Sequence, residues 1–129
     1  MANTVTKRIL LDSEKRAVIQ IHLASDGAAG ELTDEVLVDV STLSPAPSKT
    51  TVEQIWWDLV GFDLKLEFDA TADTILWKLG AGEGYQDFRS FGGIKDNTGA
   101  GSTGDVVGTT TGFAAAGDEG TLLIMVRKD

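Results

Sequence analysis

The stretch Phe62-Asp63-Leu64-Lys65-Leu66-Glu67-Phe68-Asp69 decides the fold. Its apolar members, Phe62, Leu64, Leu66 and Phe68, occupy every second position, with charged residues between them. Successive side chains on a strand point to opposite faces, so this spacing makes one apolar and one charged face. It predicts an antiparallel strand with one side on a core and the other in water. The same period recurs on both sides. Ala17, Ile19, Ile21 and Leu23 alternate with Val18, Gln20 and His22; Val36, Val38 and Val40 alternate with Leu37, Asp39 and Ser41; Ile75, Trp77 and Leu79 alternate with Leu76 and Lys78. Helical periodicity is nearly absent.

Turn-formers separate these runs. They are Ser25 to Gly30, Ser44-Pro45-Ala46-Pro47-Ser48, Ala70 to Asp73, Gly80 to Gly84, Lys95 to Gly104 and Ala115 to Gly120. The resulting strands lie near 5–11, 16–24, 34–41, 51–60, 62–69, 74–79, 85–91, 105–113 and 120–128. One or two of these can merge, which leaves about eight. Such spacing predicts an all-β chain: a single antiparallel β-sandwich, jelly-roll-like, over residues 1–129. Thr50 and Glu53 have capping-box spacing, but the β-branched and aromatic content of Thr51 to Val60 favours a strand. Residues 1–4 are expected to form a mobile N-terminal arm.

Composition narrows the function. With 129 residues, 42% of them hydrophobic, the chain suits one domain. The absence of cysteine rules out disulfides and thiolate metal sites. A net charge of −9 argues against general nucleic-acid binding and against an anionic membrane surface. The longest apolar run, Leu122 to Val126, is far too short to span a bilayer. The start, Met-Ala-Asn-Thr-Val-Thr-Lys7-Arg8, is polar and lacks an apolar leader core, so synthesis in a cytoplasm without export is expected.

No constellation predicts catalysis, a cofactor or a metal. Gly99-Ala100-Gly101-Ser102-Thr103-Gly104 matches a dinucleotide fingerprint in letters, but a strand rather than a helix should follow it. Ser102 in the same loop lacks the strand-to-helix turn of a nucleophile elbow. His22 is the one histidine, without spaced carboxylates to complete a metal site. Asp63, Lys65, Glu67 and Asp69 read as the wet side of a sheet. The chain is therefore expected not to be an enzyme. The contact candidates are Trp56, which shares a face with Gln54 and Asp58 while Trp57 joins Ile55 and Leu59 in the core, and Leu123 and Met125. The last two form the second apolar face of a strand whose first is Leu122, Ile124 and Val126. Lys7 and Arg8, next to the arm, complete the set.

Several phrases together resemble a known group. They are Leu37-Val38-Asp39-Val40-Ser41-Thr42-Leu43, Gly61-Phe62 leading into Leu64 to Thr71, Asp87-Phe88-Arg89-Ser90-Phe91-Gly92-Gly93 before the Gly99 to Gly104 loop, and Thr103-Gly104-Asp105-Val106 leading to Thr109-Thr110-Thr111-Gly112. This layout resembles small virion proteins of tailed bacteriophages, especially capsid decoration (cement) proteins. The resemblance implies a β-sandwich on the outside of the capsid, often a homotrimer, that clamps neighbouring copies of the major capsid protein. A tail, neck or fibre component is a second virion role. A carbohydrate- or receptor-binding β-sandwich, using Trp56, Tyr85 or Trp77 to stack on sugars, is the alternative from another class.

Overall fold

A computed structural model describes residues 3–28 and 30–129. Among these residues, ten strands run in the order β1 (Thr4–Asp12), β2 (Arg16–Ala24), β3 (Glu35–Val38), β4 (Thr50–Val60), β5 (Asp63–Phe68), β6 (Thr74–Leu79), β7 (Gly82–Asp87), β8 (Ile94–Lys95), β9 (Val106–Thr111) and β10 (Glu119–Lys128). They form two antiparallel sheets. The larger has the order β1-β2-β10-β4-β7, with β8 also paired to β4; the smaller has the order β3-β9-β5-β6. From β2 onward the chain repeatedly changes sheet, which gives a jelly-roll-like β-sandwich. Among the described residues no helix is long and apolar enough to cross a membrane.

The alternating patterns place the core. Leu64, Leu66 and Phe68 of β5 face Ile19, Ile21 and Leu23 of β2 and Leu122, Ile124 and Val126 of β10 across the sandwich, and all are buried. Burying each such side chain contributes roughly 1.5–3 kcal/mol. Phe62 and Phe113 close one end, edge to face with centroids 4.6 Å apart.

Bulges shift the phase in β1, β3, β4 and β6. In β3 the partners Val36↔Val107 and Val38↔Val106 leave Leu37 unopposed. Leu37 and Val38 are both core residues, and Val36 is only half-buried. In β6, Leu66↔Trp77 and Glu67↔Ile75 leave Leu76 unopposed. Leu76 is buried in place of Ile75, which is left exposed. A bulge adds one residue to one strand, so a strict period of two fails at these points.

Three boundaries also differ from expectation. Residues 40–42 and 89–91 turn into short 3-10 helices instead of extending their strands. Strand β7 starts at Gly82, inside the segment expected to be a turn. The two-residue strand β8, paired to Thr51 and Val52 of β4, lies between the strands expected near 85–91 and 105–113. Of the expected arm, Met1 and Ala2 lie outside the described residues. Asn3 is tied down, since it donates to Gly30 O (2.8 Å) and accepts from Asp26 N (3.0 Å). Thr4 already pairs with Ala24. Thr4 is thus part of the sheet edge and Asn3 is tied to Asp26 and Gly30, rather than forming an arm.

Candidate functional site: the outer face of the six-stranded sheet

Paired residues in neighbouring antiparallel strands point to the same side of the sheet. The register therefore sorts the outer face of the larger sheet into rows. The first row is Thr6, His22, Thr121, Asp58 and Glu83. The second is Arg8, Gln20, Leu123, Trp56 and Tyr85. The third is Leu11, Val18, Met125, Gln54 and Asp87. Beyond it, Arg16 faces Arg127.

This arrangement brings together four of the five residues picked from the sequence: Trp56, Leu123, Met125 and Arg8. Leu123 sits between Gln20 and Trp56, and Met125 between Val18 and Gln54. Both are half-exposed: β10 is central in its sheet, and among the described residues no second layer lies over this side. Lys7 is the exception. It points the other way, and its Nζ donates to Val36 O at 2.9 Å, closing the side of the sandwich. It belongs to the scaffold and not to this face.

Trp56 is half-buried because the ring of Tyr85 stacks on it, with centroids 5.1 Å apart and planes 28° from parallel. The Tyr85 hydroxyl accepts a hydrogen bond from Gln54 Nε2 at 2.6 Å. Trp57, on the opposite side, packs against the core and lies over Gly84. A Cβ at Gly84 would collide with the Trp57 ring, so glycine is required there. Together, Trp56, Tyr85, Asp58, Glu83, Thr121 and Leu123 line an open depression of about 590 Å³.

Charges frame the face unequally. At one end the bulge in β4 leaves Glu53 unopposed between Met125↔Gln54 and Val126↔Val52. Glu53 is 4% exposed and reaches Arg16 at 2.8 Å and Arg127 at 3.6 Å. Its hydrogen bond holds the Arg16 guanidinium above its ordinary value. Nearby, the Arg89 guanidinium grips Asp87 at 2.8 Å and lowers its carboxyl to about 2. At the other end Asp58 and Glu83 stand directly opposite one another, both exposed. Among the described residues neither takes part in an ion pair. His22 lies in the same row, with Nδ1 2.9 Å from Thr121 Oγ1 and Nε2 3.4 Å from Glu119.

The remaining sequence motifs are structural. The Gly99 to Gly104 loop packs on the β5–β6 turn: Thr71 N donates to Ala100 O, and Thr103 N to Asp69 O. Strand β9 follows it, so the loop lacks the helix a dinucleotide site needs. Asp105 accepts from Val40 N at 3.0 Å, and burial pushes its carboxyl up. Asp34, Glu67 and Asp73 bring one carboxylate oxygen each within 4.8 Å of the others on the outside of the smaller sheet. All three have local work: Glu67 faces Lys65, Asp73 caps Ala70 N and Asp34 meets Thr109.

Glu83 was not picked from the sequence as a contact residue, and Tyr85 only as a platform for sugar. The glycine-dense phrase Gly80 to Gly84 reads as a turn. The signal that could have found them is the alternation Gly82-Glu83-Gly84-Tyr85, small and large by turns, beside a tryptophan-rich strand.

The fold and this face define an antiparallel β-sandwich with a half-apolar, unshielded sheet surface. Comparison with solved structures finds distant likenesses. A cupin superfamily protein from Desulfitobacterium hafniense DCB-2 shares 12% identity over 100% of this chain and 82% of its own, at a TM-score of 0.41. A cupin domain from Bordetella pertussis Tohama I shares 11% identity over 100% of this chain and 98% of its own, at a TM-score of 0.40. No protein-family model and no curated protein matches the sequence.

Proposed function

We propose that this chain is a non-catalytic docking module that binds another protein through the outer face of its six-stranded sheet. The observation that carries this reading is the apolar band formed by Val18, Met125, Leu123, Trp56 and Tyr85 across a sheet side with no covering layer. Contiguous apolar surface rimmed by charge is the ordinary composition of a protein contact, and aromatic anchors contribute most of its energy. The resemblance to virion proteins supplies the partner. The chain is read as a capsid decoration protein, with the major capsid protein beneath this face and a trimer as the bound form. Binding only the assembled shell would stabilise that shell by mass action.

The test is to mix the purified protein with expanded phage capsids. Saturable binding in multiples of three supports the reading. Trp56→Ala should remove most binding while costing about 0.5–1.5 kcal/mol of folding stability, the worth of the lost aromatic stack. Absence of binding to shells sinks the virion role.

A sugar-binding reading is favoured by one observation, the Trp56–Tyr85 pair beside two carboxylates. A glycan-array signal without shell binding would reverse the order of these readings.

A further inference from the structure

We infer that the acidic end of the outer face receives a single arginine or lysine side chain from the protein on which this face docks. The inference deepens the docking reading and rests on that face being the one that engages a partner.

Asp58 and Glu83 are cross-strand partners, so their carboxylates share one side of the sheet at neighbouring positions. Like charges placed directly opposite in an antiparallel pair repel and weaken the sheet. The same sheet shows how the chain treats this problem elsewhere. Arg16 and Arg127 are also directly opposed, and Glu53 is bulged out of β4 to sit against both. Asp58 and Glu83 have no such counter-ion among the described residues. A positive charge is missing from one end and present at the other.

The surroundings indicate what kind of cation fits. The next row is the Trp56–Tyr85 stack, and both rings line the depression that Asp58 and Glu83 border. A cation held near an aromatic ring is attracted by its negative face. Leu123 and Thr121 complete the wall. A metal ion would use the carboxylates and gain nothing from these apolar walls. A guanidinium uses both, because it is planar, weakly hydrated and presents several donors to two acceptors. An ammonium on its apolar stem does so less well. The chain's net charge of −9 also draws a basic surface toward it.

The experiment is an NMR titration of the isotope-labelled protein with the tripeptide Gly-Arg-Gly. Gly-citrulline-Gly serves as a neutral isostere and cellobiose as a sugar control, all at low salt. The expected result is shifts at the Trp56 indole, Tyr85, Asp58, Glu83 and Thr121 with the arginine peptide alone. Glu83→Gln should weaken that binding about tenfold, the effect of losing one charge-assisted hydrogen bond. The spectrum of the variant itself reports that it is folded. Equal response to citrulline, no response, or response to cellobiose alone overturns the inference. If shells bind and the arginine peptide does not, the anchor is wrong and the docking reading stands. If the peptide binds and shells do not, the anchor stands and the virion partner is wrong.

Discussion

At one end of the outer face Arg16 and Arg127 stand opposite each other; at the other end Asp58 and Glu83 do. The basic pair is held by Glu53, an almost fully buried carboxylate that a bulge in β4 delivers between the two guanidiniums. The acidic pair is left open beside the Trp56–Tyr85 stack. The basic end is therefore complete within the fold, and its charges serve stability. The acidic end has no counter-ion among the described residues, and on the proposed reading a partner relieves its repulsion. The comparison separates a part of the sheet that holds the molecule together from a part free to meet something else.

The largest way to break this comparison is to remove the built-in counter-ion. Glu53→Ala should cost about 1–2 kcal/mol, modest for a buried carboxylate because the two guanidiniums stay a third to a half exposed. Urea denaturation measures it as a lower midpoint at unchanged slope. Next in size is supplying the missing charge. Glu83→Lys places a cation opposite Asp58 and should raise stability by roughly 0.2–1 kcal/mol while abolishing binding of a basic anchor. Calorimetry and the peptide titration read these together. Asp58→Asn should have a smaller effect of the same sign, a few tenths of a kcal/mol. Added salt should shrink it, since screening weakens exposed repulsion.

The pH dependence sharpens the comparison further. Asp87 is held at about 2, well below the ordinary 3.8, by its ion pair and hydrogen bonds with Arg89. A depressed carboxylate contributes stability that is present above 3.8 and is lost as pH falls through about 2. Asp105 has the opposite sign. Burial raises its folded value, so its relative contribution is fullest at low pH and is lost as pH rises through that raised value. Carboxyl chemical shifts followed from pH 6 downward should show Asp105 taking up its proton before Asp87 does.

Much of this face was legible in the sequence, for a physical reason. A strand with a strict period of two, such as Phe62 to Asp69, announces both its faces. The same alternation puts Trp56 with Gln54 and Asp58, and in Leu122 to Val126, apolar on both faces, it sorts Leu123 and Met125 from Leu122, Ile124 and Val126. What was hidden depends on pairing between distant segments. The bulges at Leu37, Glu53 and Leu76 are set by the partner strand and leave no local mark. The opposition of Asp58 and Glu83 exists only once β4 and β7 are in register. Glu83 was further concealed by its flanking glycines, which suggest a turn. Gly84 is there for another reason, as the space under Trp57. Lys7 misled because a strand at a sheet edge can turn a charged side chain inward, where a carbonyl of the facing sheet holds it.

Whether one end of this face is internally satisfied and the other is not can be read from the same substitution made at both ends, Glu53→Gln and Glu83→Gln, with urea unfolding of each measured side by side. Opposite signs are expected: the first variant less stable than the parent, the second equal to it or more stable. If the second variant loses stability like the first, Glu83 already has its partner within the fold and the two ends do not differ.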